Sequence, residues 1–189
     1  MQIEKTALSG VVVITPRRFG DARGWFSETW NAERMAEVGL DLAFVQDNHS
    51  LSATKGTLRG LHYQRPPHAQ DKLVRCTRGE IFDVAVDIRK GSPTYGKWVG
   101  EVLSAENGRQ LLIPKGFLHG FVTLTEDCEV QYKCTDVYAP DCDGGIRWND
   151  PTIGIDWGLG DTAPVLSAKD EVAPLLADFD SPFTWESAE

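Results

Sequence analysis

The sequence predicts a mostly β fold, a sandwich or closed barrel with a few short helices. Three observations carry this. Short runs rich in Val, Ile, Phe and Tyr dominate the chain, turn residues separate them at close intervals, and only two segments carry helix punctuation. The strand-like runs cover residues 10–15, 44–48, 72–77, 80–88, 98–103, 111–114, 117–123 and 128–137. Arg78-Gly79, Lys90-Gly91-Ser92-Pro93 and Glu106-Asn107-Gly108 supply turns between them. Run 10–15 could serve as an edge strand that pairs across a dimer.

Asn31 is expected to cap a helix running through Val38, with Gly39 as its stop. A second helix is expected to start near Ser167 and include residues 169–176, with Pro174 limiting its length. The acidic stretch 178–189, with scattered aromatics, reads as a tail that is either docked or partly loose. No repeat, low-complexity segment or linker divides the 189 residues, so one domain is expected, ending in a helical and extended segment over about 167–189.

The net charge of -9 argues against a general nucleic-acid or anionic-membrane binder. It leaves room for a phosphorylated small molecule, because a few local arginines suffice for a diphosphate. Cys76, Cys128, Cys134 and Cys142 form no Cys-x-x-Cys pair, which argues for reduced thiols over a zinc knuckle. With no signal-peptide pattern and no long apolar run, the expected compartment is the cytoplasm.

One spacing is more specific. From Gly108 the chain reads glycine, five residues, Pro114, one residue, Gly116, two residues, His119. This resembles the second signature motif of the cupin superfamily, a jelly-roll β-barrel in which proline and glycine turn the chain and the histidine points inward. At the place of the first motif, Gly56 is followed after five residues by His62, but Gln64 stands where a second histidine is expected. A catalytic metal usually takes three protein ligands, and only His49, His62, His68 and His119 are present, none in a His-x-His pair. Side-chain chemistry without a metal is the expectation.

Strand alternation suggests which side chains share the interior. His62 lies with Leu58 and Gly60, Lys72 with Val74 and Cys76, and Tyr132 with Val130 and Cys134. Each of the three alone also fits a structural role. Together they suit proton transfer beside a carbonyl, with histidine as base, cationic lysine against the enolate, and tyrosine as donor on the opposite face.

Several segments, in one order along nearly the whole chain, resemble the dTDP-4-dehydrorhamnose 3,5-epimerase family. They include Asp21-Ala22-Arg23-Gly24-Trp25-Phe26-Ser27-Glu28, Gln46-Asp47-Asn48-His49-Ser50, Arg59-Gly60-Leu61-His62-Tyr63-Gln64, Lys72-Leu73-Val74-Arg75, Pro114-Lys115-Gly116-Phe117-Leu118-His119, Tyr132-Lys133-Cys134-Thr135 and Leu166-Ser167-Ala168-Lys169-Asp170. The resemblance implies a cytoplasmic homodimer that acts on a dTDP-linked 4-keto-6-deoxy sugar, with no metal and no redox cofactor. It implies His62 as general base oriented by Asp170, Tyr132 as general acid, and Lys72 near the ketone and enolate. Asp83 falls at a supporting carboxylate that could hold the lysine or the tyrosine. Arg23 and Arg59 resemble ligands of the diphosphate and adjoining sugar. Glu28, Gln46, Asn48, His119 and Lys169 resemble further nucleotide or sugar contacts, and Phe19, Phe26 and Tyr138 could form aromatic walls. Asp143 is a departure, since the family often has Glu there, and a shorter carboxylate at the nucleotide edge loosens base or ribose discrimination.

Ser167-x-x-Asp170 also reads as a helix capping box, which competes with an inward Asp170 meeting His62 Nδ1. Three other functions stay open on the sequence: a single-centre epimerase of a related nucleotide sugar, a non-catalytic sugar-nucleotide-binding barrel, and a metal-dependent cupin.

Overall fold

Alternation along short extended runs lets each strand bury one face, and the chain uses this to set two antiparallel sheets against each other. The computed structural model describes residues 1–186. In chain order the strands are β1 (Gln2–Lys5), β2 (Val12–Thr15), β3 (Arg18–Asp21), β4 (Gly24–Ser27), β5 (Gln46–Ser52), β6 (Leu58–Gln64), β7 (Lys72–Arg78), β8 (Glu80–Asp87), β9 (Trp98–Ser104), β10 (Gln110–Ile113), β11 (Phe117–Thr123), β12 (Cys128–Cys134) and β13 (Asp143–Gly145). Two short helices, α1 (Ala32–Ala36) and α2 (Ala168–Glu171), lie outside the sheets. The architecture is the mostly β jelly-roll barrel expected, and no described helix is long and apolar enough to cross a membrane.

One sheet runs β1-β2-β10-β7-β12-β5 and the other β13-β6-β11-β8-β9, while β3 and β4 form a separate hairpin. Val13, Val74, Leu111 and Val130 of the first sheet meet Ile81, Ala85, Phe117 and Phe121 of the second in the barrel interior. The second sheet is covered on its outer face too. There Leu58, Val84, Val86, Leu118 and Val122 pack against Ile146, Trp157 and Leu176 from the C-terminal segment. Burial on both faces explains why β11 reads as an unbroken buried run. Met35 of α1 covers Ile14, Leu73 and Leu112 on the outer face of the six-stranded sheet.

Several boundaries differ from the sequence-based expectation. β2 is no edge, because β1 pairs with it on one side and β10 on the other; β1 and β5 end that sheet. The short β1, β3, β4 and β13 lack the apolar pattern that marks the longer strands. Asn31 caps α1 as expected, accepting a hydrogen bond from Arg34 N at 3.1 Å, but the helix ends at Ala36. α2 stops at Glu171, well short of Leu176, because Pro174 follows closely. The tail is docked through Trp185: Lys90 N donates to Phe183 O at 2.9 Å and Trp185 N to Lys90 O at 2.8 Å. Residues 187–189 of the expected tail lie outside the described residues.

Candidate active site

The barrel interior opens into a cavity of about 390 Å3 between the two sheets, within the size range of small-molecule sites. The five-stranded sheet contributes His62 from β6 and His119 from β11, and the six-stranded sheet contributes Ser50, Lys72 and Tyr132 from β5, β7 and β12. Simple alternation places Arg59 and His62 on opposite faces of β6, yet both line the cavity. The ladder explains this. His62 pairs with His119 but Arg59 pairs with Phe121, so one residue of β6 is taken up by an irregularity beside Gly60. Gly60 has φ +140°, and a Cβ there would sit 2.5 Å from Gly120 Cα. Glycine at both positions allows this close approach of β6 and β11. Leu58 accordingly packs with the outer cluster, although it also borders the cavity.

His62 Nε2 lies 2.6 Å from Asp170 Oδ1. The contact uses Nε2, not the Nδ1 that the sequence suggested. Ser167 Oγ accepts from Asp170 N at 3.2 Å, so Ser167 caps α2 while the Asp170 carboxylate turns inward. The two local readings of this motif therefore hold at once. Burial on its own pushes the Asp170 carboxyl up, but the hydrogen bond and charge of His62 outweigh it and hold the group below its ordinary value. An ionised Asp170 accepts a hydrogen bond from His62 Nε2 and orients the ring.

Asp83 does not hold Lys72 or Tyr132. Its Oδ1 lies 2.7 Å from His119 Nε2, and the pair is buried on adjacent strands β8 and β11. The Lys72 ammonium makes no side-chain hydrogen bond among the described residues, and burial depresses it against the opposing charges of Cys134, Asp143 and Asp83. Burial raises the Tyr132 hydroxyl, which keeps it protonated and able to donate. The cavity thus holds an imidazole backed by a carboxylate on one wall and a phenol with an ammonium on the other. Such a set can remove a proton from one face of a bound carbon acid and return one to the opposite face.

A second recess of about 350 Å3 shares His62, Lys72 and Tyr132 with the first and continues past Gln46, Asn48, Tyr138, Asp143 and Lys169. Gln46 Nε2 donates to Asn48 Oδ1 at 3.1 Å, and Tyr138 N donates to Gln46 Oε1 at 2.9 Å, which fixes the rim. Lys169 and Asp143 form an ion pair across the mouth. Arg59 reaches Ser52 Oγ at 3.1 Å and Leu51 O at 3.2 Å at the other end.

The model of a protein family described as dTDP-4-dehydrorhamnose 3,5-epimerase matches residues 5–178. This chain belongs to that family. It is 57% identical over 177 residues to the dTDP-4-dehydrorhamnose 3,5-epimerase of Salmonella typhimurium, covering 93% of this chain and 96% of that one. The crystal structure of a dTDP-6-deoxy-D-glucose-3,5-epimerase from Legionella pneumophila Philadelphia 1 in complex with dTDP-4-keto-L-rhamnose is also similar. It superposes with a TM-score of 0.93 at 48% identity, over 98% of this chain and 99% of that one. A dTDP-4-dehydrorhamnose 3-epimerase from Streptomyces niveus is 38% identical over 94% of this chain and 85% of its own. The chain is a sugar-nucleotide epimerase.

Not every residue expected at the epimerase's site reaches it. Arg23 and Phe26 sit on the β3–β4 hairpin, with the Arg23 side chain 90% exposed and ion-paired to Asp21 two residues away. Phe19 is 52% and Phe26 70% exposed. Glu28 is bonded to Arg34 at 2.8 Å, at the start of α1. None of these four lines either recess. In turn the cavity includes Ser50, Thr57, Phe121, Val165, Leu166 and Ser167, which sequence reasoning missed as site residues. Ser50 follows Gln46 and Asn48 at the strand period and was findable. Val165 and Leu166 arrive through a bridge between Thr57 and Val165 that has no local signal.

Gln64, at the position of the missing cupin histidine, has its amide fully engaged. Nε2 donates to His68 O at 2.6 Å and Val137 O at 3.1 Å, and Oε1 accepts from Ala139 N at 2.8 Å. It ties the backbone on both sides of Tyr138 to the barrel. Among the described residues no three His, Cys, Asp or Glu side chains are grouped closely enough to hold a metal ion.

Proposed function

We propose that this epimerase converts dTDP-4-dehydro-6-deoxy-D-glucose to dTDP-4-dehydro-L-rhamnose by inverting carbons 3 and 5. The observation that carries the reading is the His62–Asp170 pair facing Tyr132 across one cavity. The 4-keto group acidifies the hydrogens on both neighbouring carbons. In the D-gluco chair these two hydrogens are axial on the same face, so one base can reach both. His62 removes the proton, Lys72 stabilises the enolate, and Tyr132 returns a proton from the other face, most directly at carbon 5. Substrate and product stand at the same oxidation level, so no redox cofactor is needed. Arg59 holds the diphosphate, Gln46, Asn48, Asp143 and Lys169 contact the nucleotide or sugar, Tyr138 forms an aromatic wall, and this remote binding energy positions the reacting carbons.

The working form in this reading is a cytoplasmic homodimer. The exposed aromatics of the β3–β4 hairpin, with Arg23 projecting into solvent and paired only to Asp21 two residues away, belong to contacts made with a second chain. The Salmonella and Legionella relatives support inversion at both carbons; the more distant Streptomyces niveus relative keeps a single-centre reading in view. The test is NMR of the substrate incubated with purified protein in deuterated water. Deuterium at both carbons is expected. Deuterium at carbon 3 alone makes the protein a single-centre epimerase, and none at either carbon removes the catalytic reading.

A further inference from the structure

Asp83 faces inward from β8, wholly buried, and the scheme above gives it no part. Its Oδ1 meets His119 Nε2 at 2.7 Å, while Oδ2 is buried with no hydrogen-bond partner among the described residues. Asp87, on the same strand and equally buried, is built differently. It receives Arg89, Ser92 and Thr94 and is equipped to stay an anion. Asp83 is not, since a buried carboxylate with a bare oxygen is costly.

The number of protons on the pair decides which ring nitrogen of His119 carries hydrogen. With no extra proton, neutral His119 donates Nε2–H to the carboxylate and Nδ1 is a bare acceptor. With one extra proton the pair is neutral overall, and two arrangements are possible. Either a protonated Asp83 donates to Nε2, or an imidazolium donates to a carboxylate. In both arrangements Nδ1 carries hydrogen. Nδ1 is the one ring nitrogen left for the cavity that His119 lines.

The surroundings favour the extra proton. From β7, the Lys72 ammonium makes no hydrogen bond to the pair; its charge opposes the extra proton, and burial weakens that opposition by depressing it. Cys76, on the same strand, is pushed up to about 12 and stays neutral. From β12, Tyr132 is neutral, and from β9 Glu101 is turned to Arg109 at 2.9 Å. His62 on β6 has its own carboxylate in Asp170. Burial also raises the Asp83 carboxyl, against the opposing pull of His119 and Lys72.

We propose that Asp83 is a positioning residue that keeps His119 a hydrogen-bond donor at Nδ1, available to the oxygen of the enolate. The identity of that acceptor rests on the epimerase reading; the location of the proton does not. Nitrogen NMR of histidine-labelled protein at neutral pH, without substrate, reads the proton directly, with His119→Gln to assign the signal. A protonated Nδ1 is expected, and a bare Nδ1 overturns the proposal whether or not the protein epimerises. Turnover gives the second arm. Asp83→Leu lowers kcat about a hundredfold at both carbons with KM changed less than about threefold. Asp83→Asn, whose amide can still donate to Nε2, recovers to within about tenfold of the parent by the same logic. Equal losses in the two variants overturn the proposal. If Asp83→Leu does not fold, the nitrogen spectra of the parent and Asp83→Asn decide, and a bare Nδ1 in Asp83→Asn counts against it. A protonated Nδ1 in a protein that exchanges no deuterium removes the epimerase reading and leaves the Asp83–His119 assignment standing.

Discussion

His62 and His119 are direct cross-strand partners on β6 and β11, and each meets a different carboxylate through Nε2, Asp170 at 2.6 Å and Asp83 at 2.7 Å. Side chains so paired are roughly 5 Å apart at Cβ, so the two imidazoles share one electrostatic environment. Each ring is oriented by a separate carboxylate, one from α2 and one from β8.

His62→Asn is expected to lower deuterium incorporation at carbons 3 and 5 by about a thousandfold, the loss typical of removing a general base. Asp170→Asn leaves the ring in place but removes the anion that stabilises its proton, and a loss of about a hundredfold follows. The readout is NMR in deuterated water. Full exchange in His62→Asn contradicts its role as base.

Tyr132→Phe removes the donor and keeps the packing against the inner cluster that includes Val130. Exchange at carbon 5 is expected to fall at least about tenfold more than exchange at carbon 3, where water can substitute for the phenol. Equal loss at both carbons counts against a selective acid.

Gly60→Ala tests the local backbone that brings Arg59 and His62 to one side. The added Cβ lies 2.5 Å from Gly120 Cα at a φ of +140°, so strain and overpacking combine. A destabilisation of about 3 kcal/mol is expected in urea unfolding. Parent-like stability and activity together would show that the close approach is not required.

Acid lability has a definite sign. Asp87 and Asp170 are both held below the ordinary carboxylate value of 3.8; in each, burial pushes up and hydrogen bonds outweigh it. The unfolded chain takes up these protons first, so their contribution is full above that value and is lost as pH falls through the depressed folded values. Asp87→Asn is expected to cost about 3 kcal/mol at neutral pH and to flatten the acid limb, measured by urea unfolding across pH. Asp83 has the opposite sign, since its raised value makes its contribution fall as pH rises above 3.8. Asp83→Asn is therefore expected to keep or raise Tm at neutral pH.

Removing the hairpin aromatics tests the dimer. Phe19→Ser with Phe26→Ser is expected to shift sedimentation toward the monomer, and Arg23→Ala to raise KM about tenfold with Tm unchanged. A monomeric parent protein of full activity overturns the dimeric reading.

The longer strands were readable because both of their periodic faces leave a trace. β8, β11 and β12 appear almost where the apolar runs place them. The β3–β4 hairpin was not readable as a pair, because its aromatics face solvent within one chain and no alternation marks a core. In the site, Lys72 and Tyr132 follow regular alternation beside Val74 and Val130. Arg59 does not, because the irregularity beside Gly60 reverses the parity of the strand.

Residue types and spacing by themselves determined the mostly β class, the inward lysine and tyrosine, the capping of α1 and α2, and the set of side chains able to move protons. Tertiary structure alone decided the partnerships. Asp170 reaches His62 across 108 residues and Asp83 reaches His119 across 36. Local periodicity assigns a residue to a face, but the partner on that face depends on how distant strands register, and a single irregularity at Gly60 and Gly120 resets it.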